Sequence, residues 1–194
     1  MEQDNNMERP SAGQLEEMLG RALRRREIFI SVRSALGVLV VIAAAVTLAI
    51  TLWFPFILVQ RSSMEPTLSD GEVVIFVTTR GISRGDVIAF YHGNQVLIKR
   101  VIAIEGDTVD IDSGGRVLIN GEPQDEPYVS LPDAGEITLE MPCQVLENHY
   151  FVMGDHRQTS LDSRVEEIGL ISRDQIVGKA LLRIWPLGKL WIVK

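Results

Sequence analysis

Between residues 34 and 60 the sequence carries no charged side chain, and this stretch constrains everything around it. About 20 apolar residues are enough to cross the hydrocarbon core of a bilayer, so 34–59 reads as a transmembrane helix. A cleaved secretory signal competes with that reading, but its apolar region is shorter, about 7–15 residues, and closes on a small-residue cleavage site. Here the run leads instead into Trp53-Phe54-Pro55-Phe56. Trp53 suits the interfacial belt of a membrane. Pro55, with no N–H to donate, is expected to kink or end the helix. Between 21 and 33 stand Arg21, Arg24, Arg25, Arg26 and Arg33, with only Glu27 opposing them. Basic residues beside a span stay on the cytoplasmic side. The expected organisation is therefore a cytoplasmic segment 1–33, a span 34–59 and an extracytoplasmic part 60–194, in a single-pass protein of the cell membrane. Within the first segment the opening residues are polar and read as disordered, with a short helix over 14–23.

After residue 60 the pattern changes from helix-length runs to short ones. Segments 72–77, 87–91, 96–104, 108–112, 116–119, 137–141, 149–153 and 176–185 are rich in β-branched and aromatic residues. Gly81-Ile82-Ser83-Arg84-Gly85-Asp86, His92-Gly93-Asn94, Gly106-Asp107, Ser113-Gly114-Gly115 and Asn120-Gly121 punctuate them with turn chemistry. Many short strands at such spacing predict a mainly β fold, a sandwich or barrel. Residues 124–136, with Pro127, Pro132 and Gly135, read as a loop.

Composition excludes several classes. The net charge is -7 and no basic patch is interleaved with aromatics, so a nucleic-acid partner is not expected. Cys143 is the single cysteine, which leaves no internal disulfide framework. No HExxH pattern or Cys/His cluster suggests a metal or cofactor. Three polar clusters remain. Ser62-Ser63 follows the apolar run and reads either as ordinary post-helix polarity or as a nucleophile. Lys99 lies in the longest strand segment, where alternation sets Leu97, Lys99 and Val101 on one face and Ile98, Arg100 and Ile102 on the other. An edge lysine snorkels to water. A buried one loses its proton readily and can serve as a base to a serine hydroxyl. The third cluster, 153–164, reads either as a solvated loop or as the support of such a base, with Ser160 able to hydrogen-bond an amine and Asp162 able to pair with Arg164.

Taken in order, these clusters resemble bacterial type I signal peptidases. Ser63-Met64-Glu65-Pro66-Thr67-Leu68 is similar to their S-M-x-P-T-L box, and Arg84-Gly85-Asp86-Val87-Ile88 to their R-G-D strand. Lys99-Arg100-Val101 with Gly106-Asp107 resembles the K-R-V box and its G-D. Glu126-Pro127-Tyr128 resembles E-P-Y, and 154–164 resembles G-D-N-R-D-N-S-x-D-S-R. Gly178-Lys179-Ala180 and Trp185-Pro186-Leu187 look like the closing strand. The resemblance implies a signal-peptidase/LexA-like β-fold with an apolar surface meeting the membrane. It implies a membrane-bound serine endopeptidase, with Ser63 as nucleophile and Lys99 as general base. Ser160 would orient the lysine amine, Asp162 and Arg164 would form a supporting salt bridge, and Asp155 would belong to the same loop. The implied partners are secretory preproteins, with small residues at the first and third positions before the cut, and the lipid bilayer.

The sequence departs from the family pattern at Arg61, where relatives place serine or glycine, and at His156, Gln158 and Thr159. A Ser63–His156–Asp162 triad is a second arrangement with a catalytic base. Two rivals stand beside the main reading: a self-cleaving serine-lysine protease of the LexA type, and a membrane-anchored β-domain that binds exported chains without cutting.

Overall fold

Pro55 sets the first boundary. Helix α1 runs over Ala12–Trp53, and Phe29–Thr51 within it is long and apolar enough to cross a membrane. At 1.5 Å per residue, those 23 residues rise about 35 Å, more than the roughly 30 Å of a bilayer core. Its apolar side chains, including Phe29, Leu36, Val41, Ile42 and Leu48, are exposed along the span. The computed structural model describes residues 12–79, 81–189 and 191–193; the expectations for residues 1–11 and for the Trp53 side chain lie outside them. The short helix expected over 14–23 is part of α1. The helix does not extend to residue 59. Pro55 cannot continue it, and Phe56–Leu58 instead forms strand β1.

The chain divides into two compact units, Met1–Ile50 and Thr51–Lys194, and the second holds every strand described. After β1 come β2 (Val73–Val77), β3 (Val87–His92), β4 (Gln95–Ile104), β5 (Thr108–Ile111), β6 (Val117–Ile119) and β7 (Glu122–Pro123). They are followed by β8 (Cys143–Gln144), β9 (His149–Met153), β10 (Ile171–Ser172), β11 (Ile176–Trp185) and β12 (Trp191–Ile192). The larger sheet has the order β1-β2-β11-β3-β4-β9-β10, with β12 on β11; the smaller has the order β7-β6-β5-β8. All pairings are antiparallel. The fold is mainly β behind one N-terminal apolar helix. The expected strand at 137–141 is absent. There the N–H groups of Thr138 and Leu139 both donate to the carbonyl of Arg164, so the segment is tied to a loop and not to a sheet.

Strand β3 shows how the larger sheet is covered. Val87 and Ala89 join Met64, Leu68, Val74, Phe76, Ile98 and Ala180 in one core. Ile88 and Phe90 point the other way, into a core with Val101, Tyr150, Val152 and Ile171. A third core, with Ile102, Val109, Val117, Ile119 and Phe151, lies under the smaller sheet. Strand β4 therefore has no solvated face along its middle, and Lys99 and Arg100 are both buried, at 4% and 1% exposure. The two glycine-aspartate turns act together at the sheet ends. Arg84 Nε donates to Asp107 Oδ2 at 2.8 Å, while that carboxylate also accepts from Ile104 N and Asn120 Nδ2.

The last long strand, β11, lies between β2 and β3, which are adjacent in the chain. Gly178 makes that insertion fit, because a Cβ there would stand 2.7 Å from the Val77 carbonyl oxygen. Replacing Gly178 with alanine forces backbone to move in a buried sheet. We expect a loss of about 2 kcal/mol of stability, read as a lower denaturation midpoint in urea.

Candidate active site

Met64 and Leu68, each 1% exposed, root the turn that follows β1 in the first core. Glu65 N donates to Ser62 O and Leu68 N to Met64 O, which closes the turn around Ser63. Upstream, Val59 N bonds Glu72 O and Gly71 N bonds Val59 O, so the segment entering the turn is clamped to the one leaving it. Ser63 is thus held on a rigid corner beside β4. There Lys99 Nζ donates to Ser63 Oγ at 2.8 Å. The same separation serves a proton moving the other way once the amine is neutral.

Burial favours that neutral state. Removal from water is the main influence on Lys99 and brings its pKa from 10.5 to about 8. The Asp162 and Asp155 carboxylates oppose this, while the Arg164 and Arg61 cations reinforce it.

The loop after β9 forms the wall behind Ser63. Gly154 is its point of closest approach: a Cβ there would fall 2.5 Å from the Ser63 carbonyl oxygen and 2.2 Å from Ser160 Oγ. His156 N donates to the same Ser63 carbonyl at 3.1 Å. Buried ion pairs hold this wall. Asp162 takes both Nε and Nη2 of Arg164, at 2.8 and 2.9 Å, and also accepts from Gly154 N. Arg164 spends its remaining donors on the carbonyls of Ala134 and Arg157. Asp155 accepts Nε and Nη2 of Arg100, at 2.8 and 2.6 Å, and the Thr67 hydroxyl. The Arg100 guanidinium lies 4.0 Å from the centre of the Tyr128 ring. Arg157 donates to the Gly154 carbonyl and forms a two-point contact with Glu126. Gly154 is therefore gripped at its N–H through Asp162 and at its C=O through Arg157.

Among the residues singled out from sequence, Ser63 and Lys99 come into direct contact, and Asp162 with Arg164 and Asp155 lie in the supporting wall. The implied hydrogen bond between Ser160 and the lysine amine is not made. Ser160 Oγ is buried against Gly154 and has no hydrogen-bond partner among the described residues. The histidine alternative finds no support in the geometry. His156 Nδ1 bonds Thr159 Oγ1, only the backbone of His156 reaches Ser63, and Asp162 is engaged by Arg164. Arg100, Arg157, Glu126 and Thr67 received no role from sequence reasoning, although each lies inside one of the quoted motifs. Their signal was weak because the partners stand far apart in the chain.

A cleft of about 1030 Å³ opens onto Ser63 and Lys99, with walls from β1 and from the start of β4. Its apolar lining includes Ile57, Val59, Val96, Leu97 and Ile98, and Arg61 and Glu167 are charged residues along it. Among the described residues the Ser63 N–H has no acceptor, which leaves a backbone donor beside the hydroxyl. A hydroxyl, a buried amine and a free N–H around one point are the parts needed for acyl transfer.

The chain is similar in sequence to known proteins. The family model described as signal peptidase, peptidase S26, matches residues 32–185. Signal peptidase IB of Staphylococcus aureus is 36% identical over 155 residues, covering 68% of this chain and 78% of the relative. Signal peptidase I of Bacillus amyloliquefaciens is 32% identical over 167 residues, covering 80% and 89%. A crystal structure of a signal peptidase I from Enterococcus faecalis is 28% identical and covers 53% of this chain and 98% of its own, with a TM-score of 0.45. With the family model spanning most of its length, the chain belongs to the signal peptidase family.

Proposed function

We propose that this protein is a membrane-bound endopeptidase that removes signal peptides from exported preproteins through a Ser63–Lys99 dyad. The observation that carries the proposal is the 2.8 Å contact between Ser63 Oγ and a lysine amine whose burial brings its pKa to about 8. Neutral Lys99 takes the Ser63 proton as Ser63 Oγ attacks the scissile carbonyl. The oxyanion forms beside the Ser63 N–H, a donor already in position; one such donor is typically worth about 3–4 kcal/mol. Protonated Lys99 then passes its proton to the leaving amine, and water hydrolyses the acyl-enzyme. Ser160 brings a buried hydroxyl with unused bonding capacity to this site and steadies the amine while substrate is bound. Asp162, Arg164 and Asp155 act one step further out, by holding the wall that carries Gly154 and Ser160.

The substrate lies extended in the cleft along the edge of β1. Backbone bonds supply affinity there, and alternate side chains enter the wall. Small residues at the first and third positions before the cut are the preference that the resemblance to signal peptidases implies. The span at Phe29–Thr51 anchors the protein in the bilayer, with the arginine-rich segment cytoplasmic and residues 60–194 on the other side. Twelve residues separate Thr51 from Ser63, so the nucleophile stays within about 40 Å of the membrane. Tethering turns a search through bulk solvent into a local one.

Detergent-solubilised full chain incubated with a preprotein tests this reading. Ser63→Ala and Lys99→Ala should each reduce cleavage by at least about 10⁴-fold while circular dichroism stays unchanged. Full activity in Lys99→Ala would remove lysine as the base. For the wild type, kcat/KM should rise about tenfold per pH unit below about 8 and level off above it, because only the neutral amine accepts a proton. A profile that falls across this range would contradict the dyad. Arg164→Ala leaves the buried Asp162 carboxylate without its partner, and equilibrium unfolding should show a loss of about 3–5 kcal/mol.

A further inference from the structure

Arg61 occupies the position that most distinguishes this site from the family pattern, and its backbone is not free to relocate. It adopts φ 73°, a left-handed conformation uncommon for a residue with a side chain. The Arg61 N–H is fixed to Asp70 Oδ1 at 2.7 Å. The preceding Val59 is held by hydrogen bonds on both sides. The direction in which the arginine leaves the chain is thus set by the turn. Its side chain is exposed in the catalytic cleft, two residues from the nucleophile, and its charge is felt at Lys99. Arg100 and Arg164 are spent on buried carboxylates and Arg157 on the partly buried Glu126, whereas the Arg61 guanidinium has no hydrogen-bond or ion-pair partner among the described residues. Apolar residues such as Ile57, Val96 and Leu97 line the same cleft, so a substrate seated there loses part of its water and its charge is less screened than in bulk solvent.

We infer that Arg61 is a specificity-determining residue that selects substrates by charge close to the cut, favouring a carboxylate there and disfavouring a cation. This inference rests on the signal-peptide endopeptidase reading above. A substrate lying across Ser63 passes the guanidinium before its scissile carbonyl reaches the nucleophile. A substrate carboxylate can take the unused guanidinium donors, in two-point fashion if it comes alongside. A lysine in the same place meets an unpaired like charge. Glu167, exposed along the same cleft, contributes the opposite sign and sets a limit on the selection.

The test is a set of signal-peptide substrates that differ only in one residue, Glu, Gln or Lys, moved through the four positions on each side of the cut. The wild-type full chain in detergent, Arg61→Ala and Arg61→Glu are each assayed at low salt. The readout is the ratio of kcat/KM for the Glu and Lys peptides within each variant, so any loss common to both cancels. At the position that meets Arg61 the wild-type ratio should be about tenfold, fall towards unity in Arg61→Ala, invert in Arg61→Glu, and shrink at high salt. A ratio that is the same in all three proteins at every position overturns the inference. So does an equal loss on all peptides in Arg61→Ala, which would assign the guanidinium to the reaction itself. If the wild type cuts the Gln peptides, the endopeptidase reading stands whatever the ratio. If it cuts none of them, both readings fall together.

Discussion

A lysine amine kept out of water is costly, and most of the ordered polar structure of this protein is arranged around that cost. Bringing the Lys99 pKa from 10.5 to about 8 corresponds to about 3 kcal/mol against the folded state at any pH where the amine is charged in both states. The expense is tolerated because β4 is covered on both faces and cannot release one residue to solvent without disturbing its neighbours. The compensation lies close by. Arg100 beside Lys99 is buried as well, but it is fully engaged by Asp155, Thr67 and the Gly85 carbonyl. One base in the pair is held by several acceptors, while the other has the Ser63 hydroxyl as its one hydrogen-bond partner among the described residues.

The wall after β9 follows the same logic in reverse. Removing one member of a buried ion pair strands the other, so such pairs resist local rearrangement even when their net contribution to stability is small. Three of them converge on 154–157 and 162–164 and leave Gly154 little room to move. The wall meets the Ser63 carbonyl at the bare Gly154 Cα and at the His156 N–H. The site combines a serine in a hydrogen-bonded turn, a wall held by ion pairs and a buried lysine beside the serine hydroxyl.

Much of this was legible in the sequence, and the failures have physical causes. Lys99 stood out as a base inside an apolar strand segment, whereas Ser63, Asp162 and Arg164 read equally well as ordinary polar residues until the order of the motifs resembled the signal peptidases. The end of the helix was misjudged because Phe56, Ile57 and Leu58 are apolar whether they face lipid or pair with β2, and hydropathy cannot separate the two. Pro55 carried the right signal. The strand expected at 137–141 has the correct side chains, with Leu139 and Met141 packed on a core, but its N–H groups are taken by Arg164. Alternation along β4 assumed one wet face, and the second unit has none to spare there. The Arg157–Glu126 and Arg100–Asp155 pairs join residues 31 and 55 positions apart, a distance at which no local rule operates. Ser160 lies in the expected place, with its hydroxyl over Gly154 and not on the amine.

The position of β11 bears on when the site comes into being. Strands β2 and β3 are made early, but each waits for a neighbour that lies about 100 residues later in the chain. The wall at 154–164 also emerges well after Ser63 and Lys99. A nascent chain that has already delivered Ser63 and Lys99 still lacks the strand between β2 and β3 and the wall behind the serine. Order of synthesis and order in space therefore run against each other here: the strand that fills the middle of the larger sheet is among the last to be made.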